Sequence, residues 1–150
     1  MDLIEIIGGS PLEGKIQISG SKNASLPMMI ASLLTKEKVE LENIPNLSDV
    51  STLIELMISF GADIKLDQSS GMKAKMSCIT KEIIHTEASY DLVRKMRASF
   101  WVLAPLIARH GEAKVSLPGG CAIGIRPIDF YLSILEKMGV KLTLKDGYVY

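Results

Sequence analysis

SDVSTLIELMISFGADIKL, residues 48–66, and RPIDFYLSILEKMGVKLTL, residues 126–144, read the same way. Each carries apolar residues at helical spacing, a glycine where that spacing stops, and then a short apolar–polar alternation. A glycine there suits a helix end in the left-handed region, and the alternation after it suits a half-buried strand. The likeness extends backwards along the chain. KVELENIP at 38–45 is echoed by KVSLPGG at 114–120, and ASLPMMIASLL at 24–34 by ASFWVLAPLIA at 98–108. The offset is 74 residues from Ala24-Ser25 to Ala98-Ser99 and 78 from Gly61 to Gly139. Helix, strand, loop, helix, glycine and strand thus recur in one order, as expected of one supersecondary unit reused about a common core.

The remaining elements fit a mixed α/β chain. LIEII at 3–7 and KIQIS at 15–19 alternate as strands around the turn-rich GGSPLEG. Leu26, Ile30, Leu33 and Leu34 predict a helix from Asn23 to about Leu34, with Pro27 in or near its first turn. Ser48 or Asp49 is placed to cap the helix that runs to about Phe60. ADIKLD, MKAKMS and KEIIHT are strand candidates. YDLVRKMRASFWVLAPLIAR at 90–109 is the longest helical pattern, with Pro105 predicting a kink or an early end. AKVSL and VKLTL are further strands on either side of a helix from Pro127 to about Met138. The Asp146-Gly147 pair predicts a hairpin turn into YVY.

Composition narrows the function. The chain has 150 residues, enough for one domain with a real core. Its 17 acids balance 17 bases, so no global field draws it to nucleic acid or an anionic membrane. An anion site must then be built from local cations. The two cysteines, Cys78 and Cys121, and the two histidines, His85 and His110, lack metal-ligand or redox spacing. No apolar run reaches membrane-spanning length, and MDLIEIIGG lacks the basic start and long apolar stretch of a secretion signal. A reducing cytoplasm is the expected location, where a free thiol stays available.

Three constellations can carry chemistry. In LPGGCAIGIRP, 117–127, Cys121 follows two glycines and precedes Arg126 by five residues. The glycines let the backbone approach a ligand, a cation favours the thiolate, and a helix start beside a guanidinium suits a phosphate or carboxylate. The same cysteine also fits as a small apolar filler in a glycine turn. In GSKNAS, 20–25, Lys22 and Asn23 stand at a helix entry, with Asn23 either a plain N-cap or a polar contact. In VRKMRAS, 93–99, the bases fit a solvated helix face, but Arg97 answers to Asn23 across the repeat. Equivalent positions of packed repeats tend to face one cleft. Trp101 and the eight methionines read as core filler, and Cys78 as a structural strand residue.

LEGKIQISGSKNASLP, NIPNLSDV, YDLVRKMRASFWVLAPLIAR and VSLPGGCAIGIRPID together resemble the N-terminal part of the enolpyruvyl transferase family, in the branch acting on UDP-N-acetylglucosamine. The branch that makes 5-enolpyruvylshikimate 3-phosphate shares the fold but lacks the cysteine loop. Ser21 and Ile125 stand where the family often has alanine. The resemblance implies an inside-out α/β barrel of repeated βαβαββ units, two of the three repeats of one domain lying within residues 21–150. Residues 1–20 would form strands that pack in the second, facing domain, which lies outside the chain. The implied reaction moves the enolpyruvyl group of phosphoenolpyruvate to the 3-hydroxyl of UDP-N-acetylglucosamine and releases phosphate, the first committed step of peptidoglycan synthesis. By motif, Cys121 is the catalytic thiol and Lys22 and Asn23 contact phosphoenolpyruvate. Arg97, Arg126, Pro127, Ile128, Asp129 and Phe130 line the UDP-sugar site. Neither metal nor organic cofactor is implied, nor a nucleic-acid or membrane partner. The isolated chain is expected to be inactive without its second domain or a partner chain. A non-catalytic fragment or split subunit is the alternative. A thiol hydrolase ranks last, since neither histidine sits in a motif that would make it the base.

Overall fold

The computed structural model describes residues 3–70, 73–118 and 127–150. Seven strands and five α-helices among them form a mixed α/β fold with two open sheets and no closed barrel. Helix α1 (Lys22–Ala31) runs into a 3-10 turn at Ser32–Leu34 and leads to β1 (Val39–Ile44). Helix α2 (Ser48–Ser59) follows, then the hairpin of β2 (Asp63–Ser70) and β3 (Lys73–Ile79). The chain continues through β4 (Glu87–Ala88), α3 (Tyr90–Val93), a 3-10 segment Arg97–Val102 and α4 (Leu103–His110). It ends with β5 (Lys114–Ser116), α5 (Asp129–Lys137), β6 (Leu144–Lys145) and β7 (Tyr148–Val149).

The two sheets are wired alike. In the first, β3 lies between β1 and β2 and pairs antiparallel with both. In the second, β7 lies between β5 and β6, again antiparallel to both, and β4 adds to β5 in parallel. The core is continuous across both halves, with Met29, Leu53, Met57, Phe60, Val93, Leu103, Leu106 and Val115 all fully buried. Cys78 is buried in β3 with its Sγ 3.7 Å from Thr80 Oγ1, as a structural residue. Arg109, in the last turn of α4, ties the halves together. Its Nη1 donates to the carbonyls of Leu33 (2.7 Å) and Thr35 (2.8 Å), and its Nη2 to those of Thr80 (2.9 Å) and Lys81 (3.1 Å).

Several expectations are corrected. The alternating runs at 3–7 and 15–19 form no strand, and Leu3, Ile4, Ile6, Ile7, Ile16 and Ile18 are all at least 80% exposed. Alternation specifies a face, and no sheet edge among the described residues pairs with it. KEIIHT is not a strand either, because Ile84 N–H donates to Phe60 O at the end of α2 (3.0 Å). The 90–109 pattern breaks at Met96, whose backbone is extended (φ −151, ψ 120), rather than at Pro105. Pro105 instead falls in the first turn of α4, where a missing N–H costs nothing. Pro27 sits deeper than expected, in the second turn of α1, leaving the Asn23 carbonyl without its helical donor. Ser48 begins α2 without capping it, and Asp49 pairs with Lys22. Helix α5 starts at Asp129, two residues after Pro127, and the strand expected at 140–144 is confined to Leu144–Lys145.

Candidate active site

The site is built where the 3-10 segment meets the start of α5. After extended Met96 the chain turns tightly, setting half-buried Arg97 ahead of buried Ala98, Ser99 and Phe100. Arg97, Phe100, Trp101, Pro118, Pro127, Ile128 and Tyr131 line a cavity of about 200 Å³. Among the described residues no carboxylate pairs with Arg97. A guanidinium beside apolar and aromatic walls, with no counter-ion among the described residues, can receive an anion.

Tyr131 holds this wall together. Its hydroxyl donates to Trp101 O (3.2 Å) and accepts from Ala104 N–H (3.1 Å). That amide lies in the first turn of α4, directly after the 3-10 segment. The Tyr131 ring meets Phe100 edge to face, with centroids 5.7 Å apart and planes at 61°. Burial pushes the Tyr131 hydroxyl above the ordinary tyrosine range, against the opposing effect of the Ala104 hydrogen bond. The sequence reading missed this residue and Phe100. The one signal available was a phenol one helical turn after Pro127. Trp101, expected as core filler, is 44% exposed and forms part of the cavity wall.

The other expected residues are spread more widely. Lys22 opens α1 and its Nζ lies 2.8 Å from Asp49 Oδ2, a partly exposed pair joining the starts of α1 and α2. Asn23 is exposed and is not the N-cap, a position held by Ser21. Helix α1 packs against the 3-10 segment that carries Arg97. Asp129 and Phe130 occupy the first turn of α5 outside the cavity, and Phe130 is 81% exposed. Arg94 pairs with Asp91 (3.4 Å) and Lys95 is exposed, as a solvated face requires. Cys121 and Arg126, with Gly119 and Gly120, lie outside the described residues. A larger cavity of about 300 Å³, between the end of α4 and Tyr150, contains none of the expected site residues. Among the described residues no cluster of three or more His, Cys, Asp or Glu could hold a metal. No helix among them is long and apolar enough to cross a membrane.

Comparison with known proteins identifies the class. The chain belongs to the EPSP synthase (3-phosphoshikimate 1-carboxyvinyltransferase) family, whose model matches residues 6–150. The UDP-N-acetylglucosamine 1-carboxyvinyltransferase of Methylocella silvestris is 52% identical over 155 residues, covering 100% of this chain and 36% of the relative. That of Campylobacter hominis is 50% identical over 149 residues, covering 99% of this chain and 35% of the relative. The chain thus spans little more than a third of these relatives, at their N-terminal end. Among solved structures, the enolpyruvyl transferase NikO from Streptomyces tendae superimposes with a TM-score of 0.76 at 26% identity. The match covers 95% of this chain and 30% of NikO.

Proposed function

We propose that this chain is the N-terminal portion of an enzyme that transfers the enolpyruvyl group of phosphoenolpyruvate to the 3-hydroxyl of UDP-N-acetylglucosamine. Phosphate is released, and the reaction is the first committed step of peptidoglycan synthesis in the cytoplasm. The observation that carries the reading is Arg97 without a carboxylate partner among the described residues, walled by Trp101, Pro127 and Ile128, in a chain 52% identical to a named transferase of that kind.

The residues divide the work by chemistry. Phosphoenolpyruvate and the nucleotide sugar are both polyanions, and Lys22, Arg97 and Arg126 supply local positive charge in a chain of formal net charge zero. Lys22 and Asn23 contact phosphoenolpyruvate. Arg97, Pro127, Ile128, Asp129 and Phe130 line the UDP-sugar site, and Arg126 reaches the phosphate. The Cys121 thiol gives a proton to the methylene carbon of phosphoenolpyruvate. The neighbouring carbon gains oxocarbenium character and is attacked by the sugar hydroxyl, which loses its proton. Loss of a methyl proton and of phosphate then restores the double bond in the product. The thiolate can instead attack that carbon and hold the group as a thioether.

The fold supports a wider architectural reading. The sheet orders β1–β3–β2 and β5–β7–β6 are alike, which supports reading residues 21–150 as two repeats of an inside-out α/β barrel. The bare apolar run at residues 3–20 suits strands that pack in a facing domain. The 150-residue chain alone is therefore expected to lack transferase activity. The alternative, a non-catalytic fragment or a split subunit needing a partner chain, draws on the same partial span. Phosphate release by the full-length protein decides between them. The transferase reading requires both substrates together and a large loss on Arg97→Ala, whereas release with neither requirement overturns it.

A further inference from the structure

Tyr131 and Pro105 stand out when the two halves of the sequence are laid on each other. At the offset of 78 that aligns Gly61 with Gly139, Tyr131 falls on Leu53, an apolar residue fully buried in α2. At the offset of 74 that aligns Ala24-Ser25 with Ala98-Ser99, Pro105 falls on Ala31, the last residue of α1. Both exchanges occur in the half that carries the Arg97 cavity, and their chemistry is linked.

In an α-helix each carbonyl accepts from the N–H four residues further on. For Trp101 O that residue is Pro105, which has no N–H to give. The Tyr131 hydroxyl donates to Trp101 O in its place (3.2 Å) and accepts from Ala104 N–H (3.1 Å). One phenol thus serves both sides of the join between the 3-10 segment and α4. That segment has lost a bond of its own. In α1, Ser25 Oγ donates to Ser21 O (2.9 Å), whereas its counterpart Ser99 Oγ is buried with no hydrogen-bond partner among the described residues. Tyr131 reaches the join from the first turn of α5, three residues after Ile128. Its hydroxyl therefore fixes one wall of the cavity, Pro127 and Ile128, against the other, Arg97 and Trp101.

We propose that Tyr131 is a positioning residue for the nucleotide sugar. Its hydroxyl clamps the Trp101–Ala104 backbone to the start of α5 and so sets the width of the cavity in which Arg97 meets the ligand. It acts through those two backbone groups, and the phosphoenolpyruvate contacts assigned to Lys22 and Asn23 do not depend on it. The identity of the ligand rests on the transferase reading, while the clamp rests on the two hydrogen bonds.

Tyr131→Phe in the full-length protein removes both hydrogen bonds and keeps the ring against Phe100. Phosphate release is measured with each substrate varied in turn, and binding of UDP-N-acetylglucosamine alone by titration calorimetry. The expected result is a rise of about tenfold in KM and Kd for the nucleotide sugar, with kcat and KM for phosphoenolpyruvate within about twofold of the parent. Adding Pro105→Ala returns an N–H that can serve Trp101 O, and should recover about threefold of the loss. A folded Tyr131→Phe protein that binds the nucleotide sugar like the parent overturns the proposal. An equal rise in both KM values, a fall in kcat alone, or loss of the cooperative thermal transition also overturns it, because each assigns Tyr131 to general stability. So does a double variant with no recovery. A parent that binds the nucleotide sugar but releases no phosphate fails the transferase reading alone, and the ratio of the two Kd values still decides the clamp. A parent that does not bind it overturns both.

Discussion

Replacing Arg109 by methionine keeps most of the side-chain stem and removes all four of its hydrogen bonds to backbone carbonyls. Three of those, to Leu33, Thr35 and Thr80, are partly buried, and the fourth, to Lys81, is exposed. No carboxylate pairs with this guanidinium among the described residues, so its charge is spent on peptide oxygens alone. At about 1 kcal/mol net for each partly buried bond, and little for the exposed one, the loss is about 3 kcal/mol. For a domain of this size that lowers the melting temperature by roughly 6–12 °C. The acceptors lie on the 3-10 turn after α1 and on the exit of β3, so the loss also separates the first half from α4. Arg109→Lys should recover less than half, because one ammonium cannot span both carbonyl pairs as a planar fork does. Urea unfolding followed by far-UV circular dichroism measures both variants. A methionine variant within about 1 kcal/mol of the parent would show that the clasp is decorative, and would refute the reasoning.

Three further outcomes are expected. Lys22→Met should change stability by less than about 1 kcal/mol, since Lys22 and Asp49 are both partly exposed, yet should raise KM for phosphoenolpyruvate in the full-length enzyme. An unchanged KM would remove Lys22 from the site. In alkaline titration by phenolate absorbance, Tyr131 should ionise above the ordinary tyrosine range, and Tyr131→Phe should delete that late step. Because its folded-state value is raised, the associated stability is complete below the ordinary tyrosine pKa and is lost as pH rises through the raised value. Lys114 is raised chiefly by its hydrogen bond to Glu87, so Glu87→Gln should lower its pKa in an NMR titration of the ammonium; no movement would mean the 2.9 Å pair does not persist in solution.

Local signals carried much of the fold. Gly61 and Gly139 marked true helix ends because positive φ is a property of the residue itself. Asp146-Gly147 marked a true hairpin, with both residues at positive φ. Signals that depend on a partner were misread. Ile84 alternates like a strand residue but gives its N–H to a helix end, and the runs at 3–7 and 15–19 have a face with nothing to meet. The break at Met96 left no mark in the helical spacing, which continues across it. The site followed the same rule. Arg97, Pro127 and Ile128 line one cavity, while Asn23, the repeat counterpart of Arg97, does not. Tyr131 escaped notice because its function depends on backbone groups of Trp101 and Ala104, 30 and 27 residues away. Trp101 was misassigned because an aromatic residue in an apolar run looks the same whether it faces the core or a cleft.

The central claim is that the thiol at 121, and not the one at 78, reacts with the enolpyruvyl donor. Full-length protein incubated with phosphoenolpyruvate and UDP-N-acetylglucosamine, then digested and mapped by mass spectrometry, tests it most directly. The added mass should fall on the peptide containing Cys121, with Cys78 unmodified in its buried strand. A label on Cys78, or turnover that survives with both thiols replaced by alanine, would contradict it.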